Sequence, residues 1–148
     1  ACASKWLEEG PCIVSYSDIF YYSSTVSLLM DATSAIAITY DPNWLSLWKA
    51  RFADPLTDAE TFSINKDQLL LDIGGQATNL SDIQGQFMGL IRLSPKGWSE
   101  IVRVRESLNS KLRDKMDFTA ILQKIVKLSL HLYVKNTILF HLKIYFMF

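Results

Sequence analysis

The sequence predicts an α/β fold in which a doubly wound, mostly parallel sheet carries one inserted antiparallel β-hairpin. Three observations lead there. A short apolar run at 12–16 (CIVSY), a helix-patterned stretch at 23–31 and a small, β-branched run at 34–40 make strand, helix and strand in quick succession. Such a βαβ unit crosses over right-handed and leaves its strands parallel. A second strand and helix follow at 85–94 and 95–108, and 61–74 (TFSINKDQLLLDIG) reads as two strands about Asn65, Lys66 and Asp67.

Each element has a local reason. The opening ACASKWLEEG reads as the second half of an amphipathic helix stopped by Gly10 and Pro11, which predicts a chain starting inside a larger domain. Serines can cap the helix at 23–31, where Val26, Leu29 and Met30 share one side. Pro42 and Pro95 suit the first turns of helices over 42–52 and 95–108. Gly74 and Gly75, with the polar segment after them, mark a loop. Asp117 caps a helix over 115–128 whose stripe is Phe118, Ile121, Leu122 and Ile125. Residues 129–148 read as an atypical hydrophobic tail, a truncated or frameshifted ending, with two strands (LHLYV and TILFHLKIYF) around Lys135-Asn136.

Composition narrows the function. Among 148 residues, 49% are apolar and 20% charged, a globular balance that excludes disorder. Net charge is zero, so no basic field recruits nucleic acid. Lysines and histidines recur too often in the tail for a membrane span, which needs about 20 mostly apolar residues. Two cysteines, Cys2 and Cys12, make neither a disulfide framework nor a zinc pair, and a reducing cytoplasm fits them. Cys12 reads as a buried free thiol.

Asp18 is the first candidate for chemistry. It follows the strand CIVSY, and open α/β sheets bind ligands beyond the carboxyl ends of their strands. Mg²⁺ prefers oxygen ligands, commonly one or two carboxylates plus substrate phosphates. A turn or cap role for Asp18 stands equally open. Trp44 and Trp48 lie four apart on one helix face, where they either grip a quaternary ammonium or fill a core with Leu47 and Phe52. Asp41, Asp54, Asp58 and Glu60 form a solvated acidic face, or one of them meets an acceptor. Gln84 and Gln86 alternate along a strand, and the flanking Gly85 and Gly89 would permit an acceptor's close approach. His131 and His141 have no carboxylate nearby to orient them and are not catalytic candidates.

Three linked segments resemble the sugar-phosphate nucleotidyltransferase family, in its phosphocholine cytidylyltransferase-like branch. They are GPCIVSYSDIFY (10–21), AIAITYDPNWLSLWKARFADPLTDAETF (35–62) and IGGQATNLSDIQGQFMGLIRLSPKGW (73–98). The resemblance implies a three-layer αβα, Rossmann-like fold of the nucleotide-diphospho-sugar transferase type, here incomplete, with 1–128 a partial domain. It implies that Asp18 binds catalytic Mg²⁺ and that Gln84, Gly85 and Gln86 lie beside the acceptor. The implied reaction joins an NTP, with CTP favoured, to phosphocholine or a sugar phosphate and releases pyrophosphate.

The departures are equally specific. The family's glycine-rich, Arg- and Lys-bearing phosphate loop would precede residue 1. Its second metal carboxylate would follow the helix ending near Lys127, where the acid-free tail stands. An inactive member of the family is therefore one alternative. A metal-dependent glycosyltransferase of similar fold is another, although its D-x-D pair is missing because position 16 is tyrosine.

Overall fold

A computed structural model describes residues 2–128. The strands and helices, in chain order, are α1 (Ser4–Glu9), β1 (Cys12–Ser15), α2 (Ser23–Met30), β2 (Ile36–Asp41), α3 (Trp44–Arg51), β3 (Glu60–Ile64), β4 (Leu70–Gln76), β5 (Gln86–Leu93), α4 (Pro95–Glu106), α5 (Ser110–Lys115) and α6 (Phe118–Lys127). The two strands expected in the tail, and both histidines, lie outside the described residues.

The sheet at the centre has the order β1-β5-β2, and β3 and β4 form a separate hairpin. β1 and β2 point the same way, as the βαβ pattern requires. They are not neighbours, however, because β5 lies between them and runs antiparallel to both. The expectation of a mostly parallel sheet is thus corrected for the described strands, where every hydrogen-bonded pair is antiparallel. Local pattern fixes the direction of β1 and β2. It carries no sign that a strand from far later in the chain will slot between them.

Cys12 and Ile36 both stand level with Leu93, so the carboxyl ends of β1 and β2 open together beside the start of β5. The register of β5 against β2 slips between Ile38 and Tyr40, a bulge that contains Gly89 at φ 74°. Only glycine adopts that conformation readily, and a bulge here bends the strand and re-aims its neighbours.

Helices cover both faces of the sheet, giving three layers. On one side Leu29 and Ala32 of the α2 region pack with Ala37 and Leu90. On the other, Ile36, Ile38, Ile91 and Leu93 meet Ile101 and Val104 of α4 and Ile121, Leu122 and Ile125 of α6. The α6 stripe matches the sequence expectation, and Asp117 caps the helix by accepting from the Ala120 N–H at 2.8 Å. Ser94 caps α4 in the same way through Gly97 N–H at 3.2 Å, with Pro95 in the first turn.

The hairpin joins this body through Phe62, which is 1% exposed and stacks on Tyr40 with ring centroids 5.0 Å apart. Its turn is tied by Asn65, whose Oδ1 accepts from Asp67 and Leu69 N–H groups, each at 2.9 Å. Helix α5 had no apolar stripe to betray it, since SKLRDK is nearly all polar and no residue in it is buried. Cys12 is half-buried rather than buried, its thiol donating to the Trp6 carbonyl at 3.3 Å. No helix of the described residues is long and apolar enough to cross a membrane.

Leu122 is fully buried where α6 meets α4 and the hairpin. Leu122→Ala is expected to lower the unfolding free energy by about 2–5 kcal/mol, read as a shifted urea midpoint at unchanged slope.

Candidate functional site

Asp18 sits in the turn just beyond the carboxyl end of β1, exposed to solvent, and makes no hydrogen bond or ion pair with the described residues. Two residues before it, Tyr16 prolongs the ladder by donating its N–H to the Gly89 carbonyl at 2.9 Å. The Tyr16 ring lies edge-on to Phe87, 6.0 Å between centroids. It rests where Gly89 lacks a side chain, since a Cβ there would come within 2.6 Å of the ring. Tyr16 remains 42% exposed, and its hydroxyl has no protein partner among the described residues.

Carboxylates from three separate elements converge electrostatically on this ring. Partial burial pushes the Tyr16 phenol above its ordinary value, and the charges of Asp117, Glu60 and Asp18, in that order, push the same way. Glu60 opens β3 and is half-buried. Burial raises its carboxyl, and the like charges of Asp117 and Asp58 raise it further. Among the described residues no group of three or more His, Cys, Asp or Glu is arranged to hold a metal ion. Asp18 is thus a single available carboxylate within an acidic field.

The two glutamines have structural work. Gln86 is buried, and its amide grips the Glu60 backbone from both sides: Nε2 donates to the Glu60 carbonyl at 2.6 Å and Oε1 accepts the Glu60 N–H at 3.2 Å. Gln84 precedes β5, and its Oε1 accepts from Ile64 N–H at 2.6 Å. Both amides bind β3 to the body, where buried Gln86 fixes Glu60 in place and Gln84 stays exposed. Gly85 packs against the Tyr40 ring, leaving no room for a side chain.

Trp44 and Trp48 fill a core of their own. They are 4% and 8% exposed, cross edge-to-face at 5.9 Å, and pack with Ala59, Ala77 and Ile83. That burial leaves no cage for an ammonium ligand. The Trp48 indole N–H donates to Asp58 Oδ2 at 3.0 Å, holding one of the carboxylates that acts on Glu60. Asp41 is buried at the end of β2, where its Oδ1 accepts the Asn43 N–H at 2.7 Å, and Asp54 caps a short turn at Leu56. Asp41 therefore stands apart from a solvated acidic face, whereas Asp54 and Asp58 are exposed.

Tyr16 and Asp117 were not singled out for this region by sequence, and Gly89 was marked only as a flank that permits an acceptor's close approach. The absent D-x-D motif drew attention to position 16 only as a missing acid. Asp117 was legible as a helix cap, but its proximity to Glu60 depends on α6 packing against the hairpin, which no local pattern reports.

Two measurements follow. Trp44→Ala is expected to cost about 3–5 kcal/mol of stability and to depress the melting temperature before any ligand effect appears. Glu60 has a raised folded-state pKa, so its ionisation opposes folding: the penalty is absent below the unfolded value and full above the folded one. Glu60→Gln should therefore raise the melting temperature at neutral pH, with the gain vanishing as pH falls below the ordinary glutamate range.

With the geometry in hand, known proteins give a context. No family model matches the chain. The CTP:phosphoglutamine cytidylyltransferase of Campylobacter jejuni is 32% identical over 126 residues, covering 81% of this chain and 49% of that protein. Two solved structures share the fold. One is a protein from Bacillus anthracis provisionally identified as a glucose-1-phosphate thymidylyltransferase, solved with sucrose (TM-score 0.63, 10% identity, 92% of this chain and 50% of that one). The other is the inositol-1-phosphate CTP transferase of T. maritima (TM-score 0.62, 13% identity, 90% and 48%). The chain spans about half the length of each of these proteins. The chain is thus similar in sequence to a cytidylyltransferase and shares the fold of sugar-phosphate nucleotidyltransferases.

Proposed function

We propose that the chain supplies the metal-binding strand end and the acceptor side of a nucleotidyltransferase that moves a cytidylyl group from CTP to a small phosphorylated acceptor. An acceptor phosphate oxygen attacks the α-phosphorus of CTP, the bond from that phosphorus to the bridging oxygen breaks, and pyrophosphate leaves. Support comes from one observation above all: Asp18 stands exposed and unbonded past the end of β1, where open α/β sheets take their ligands.

The donor set suits Mg²⁺ in one mode. A single available carboxylate fits an ion that draws its other ligands from phosphates and water, and does not fit an all-protein cage. Asp18 would hold the ion, which when bound supplies positive charge against the triphosphate. The protein's own part is positional. A rigid ladder bond at Tyr16 fixes the turn that bears Asp18, and such pre-organisation is what nucleotidyl transfer chiefly asks of an enzyme. The surrounding acidic field would repel a bare triphosphate, so binding of nucleotide should depend strongly on the divalent ion. The free thiols Cys2 and Cys12 suit a reducing cytoplasm.

Asp18→Asn is expected to abolish Mg²⁺-dependent pyrophosphate release from CTP and a phosphorylated acceptor while leaving the melting temperature unchanged. Turnover at the parent rate in that variant would remove Asp18 from the site. Running all four NTPs against a panel of phosphorylated small molecules tests the preference for CTP.

A further inference from the structure

The β5 bulge, the ladder bond from Tyr16 to Gly89 and the missing side chain at Gly89 together build a seat for one aromatic ring. That ring is held along its edge by Phe87, yet it stays 42% exposed and its hydroxyl is without a protein partner among the described residues. The bulge thus seats a half-exposed tyrosine two residues from the candidate metal carboxylate, with its ring packed and its polar tip unpaired among the described residues. Resting on the nucleotidyltransferase reading of this crevice, we propose that Tyr16 is a specificity-determining residue whose phenol donates a hydrogen bond to a neutral oxygen, carbonyl or hydroxyl, in the non-phosphate part of the acceptor.

The chemistry of the surroundings selects that ligand group. The charges of Asp117, Glu60 and Asp18 all act on the phenol, so a bare dianionic phosphate lodged against it would meet like charge. A phenol carries its proton at neutral pH and is a donor seeking an acceptor atom. A carbonyl or hydroxyl oxygen accepts without adding negative charge. Gln86 fixes Glu60 beside this point through two backbone hydrogen bonds, so the field is a built feature and not the drift of a loose side chain.

Two acceptors separate the outcomes. Phosphoglutamine carries a carbonyl oxygen outside its phosphate, and phosphocholine carries neither a carbonyl nor a free hydroxyl. Each is titrated calorimetrically into the full chain with Mg²⁺ and an α,β-methylene analogue of CTP. The quantity read is the preference, the ratio of the two affinities relative to that of the parent chain. Tyr16→Phe keeps the ring and its seat, and should weaken phosphoglutamine about three- to tenfold while leaving phosphocholine and the melting temperature unchanged. Gly89→Ala keeps the hydroxyl but displaces the ring, and should lose the same preference. Unaltered preference in Tyr16→Phe, with analogue binding lost in Asp18→Asn, would overturn the role of Tyr16 and leave the proposed function standing. Failure of either acceptor to bind, with Asp18→Asn indifferent to the analogue, would overturn both.

Discussion

β5 is the strand on which the rest of the molecule is hung. It alone hydrogen-bonds to both β1 and β2, and its first residue, Gln86, holds the start of β3 through a side-chain amide. One face of it contributes Leu90 to the α2 layer, and the other contributes Ile91 and Leu93 to the α4 and α6 layer. Because side chains alternate across a strand, a one-residue slip would exchange these faces and empty both cores. The buried hydroxyl of Thr39, donating to the Leu90 carbonyl at 3.2 Å, braces the sheet where the bulge interrupts its ladder.

The same strand connects packing to chemistry. Its regular half builds the core, and its irregular half lies beside Tyr16. At Gly89 the backbone takes a conformation other residues resist, and the result is felt on the neighbouring strand, where Tyr16 and then Asp18 take their positions. Glu60 arrives from the hairpin by way of Gln86, and Asp117 from the start of α6. The acidic character of the site is therefore a tertiary product, assembled from residues that local sequence keeps far apart.

Much of the secondary structure could be read directly from the chain. Periodicity found α4 and α6, prolines and capping residues placed their starts, and Asn65 marked the hairpin turn. Alternation and β-branching found β1, β2 and β5. Strand order was not legible, since nothing near CIVSY or AIAITY reports that LIRL will part them. Of the candidate site, Asp18 was recoverable from its place after a strand. The roles of Gln84, Gln86 and Trp48 were not, because an amide facing a ligand and an amide gripping a backbone leave the same letters in the sequence. Trp44 and Trp48 illustrate the converse, their spacing of four being equally true of a cage and a core, with burial deciding for the core.

Asp117 serves two masters through one carboxylate. Its Oδ1 satisfies the Ala120 N–H and the Thr119 hydroxyl at the start of α6, and its charge reaches Glu60 and Tyr16 across the crevice. The positive end of the helix partly offsets that charge, so capping and acidity are in thermodynamic conversation. The first turn of α6 packs on the hairpin at Gly74, where Thr119 leaves only 3.2 Å for a would-be Cβ. One side chain thus ties the start of α6 both to its own first turn and to the acidic region at the end of the sheet.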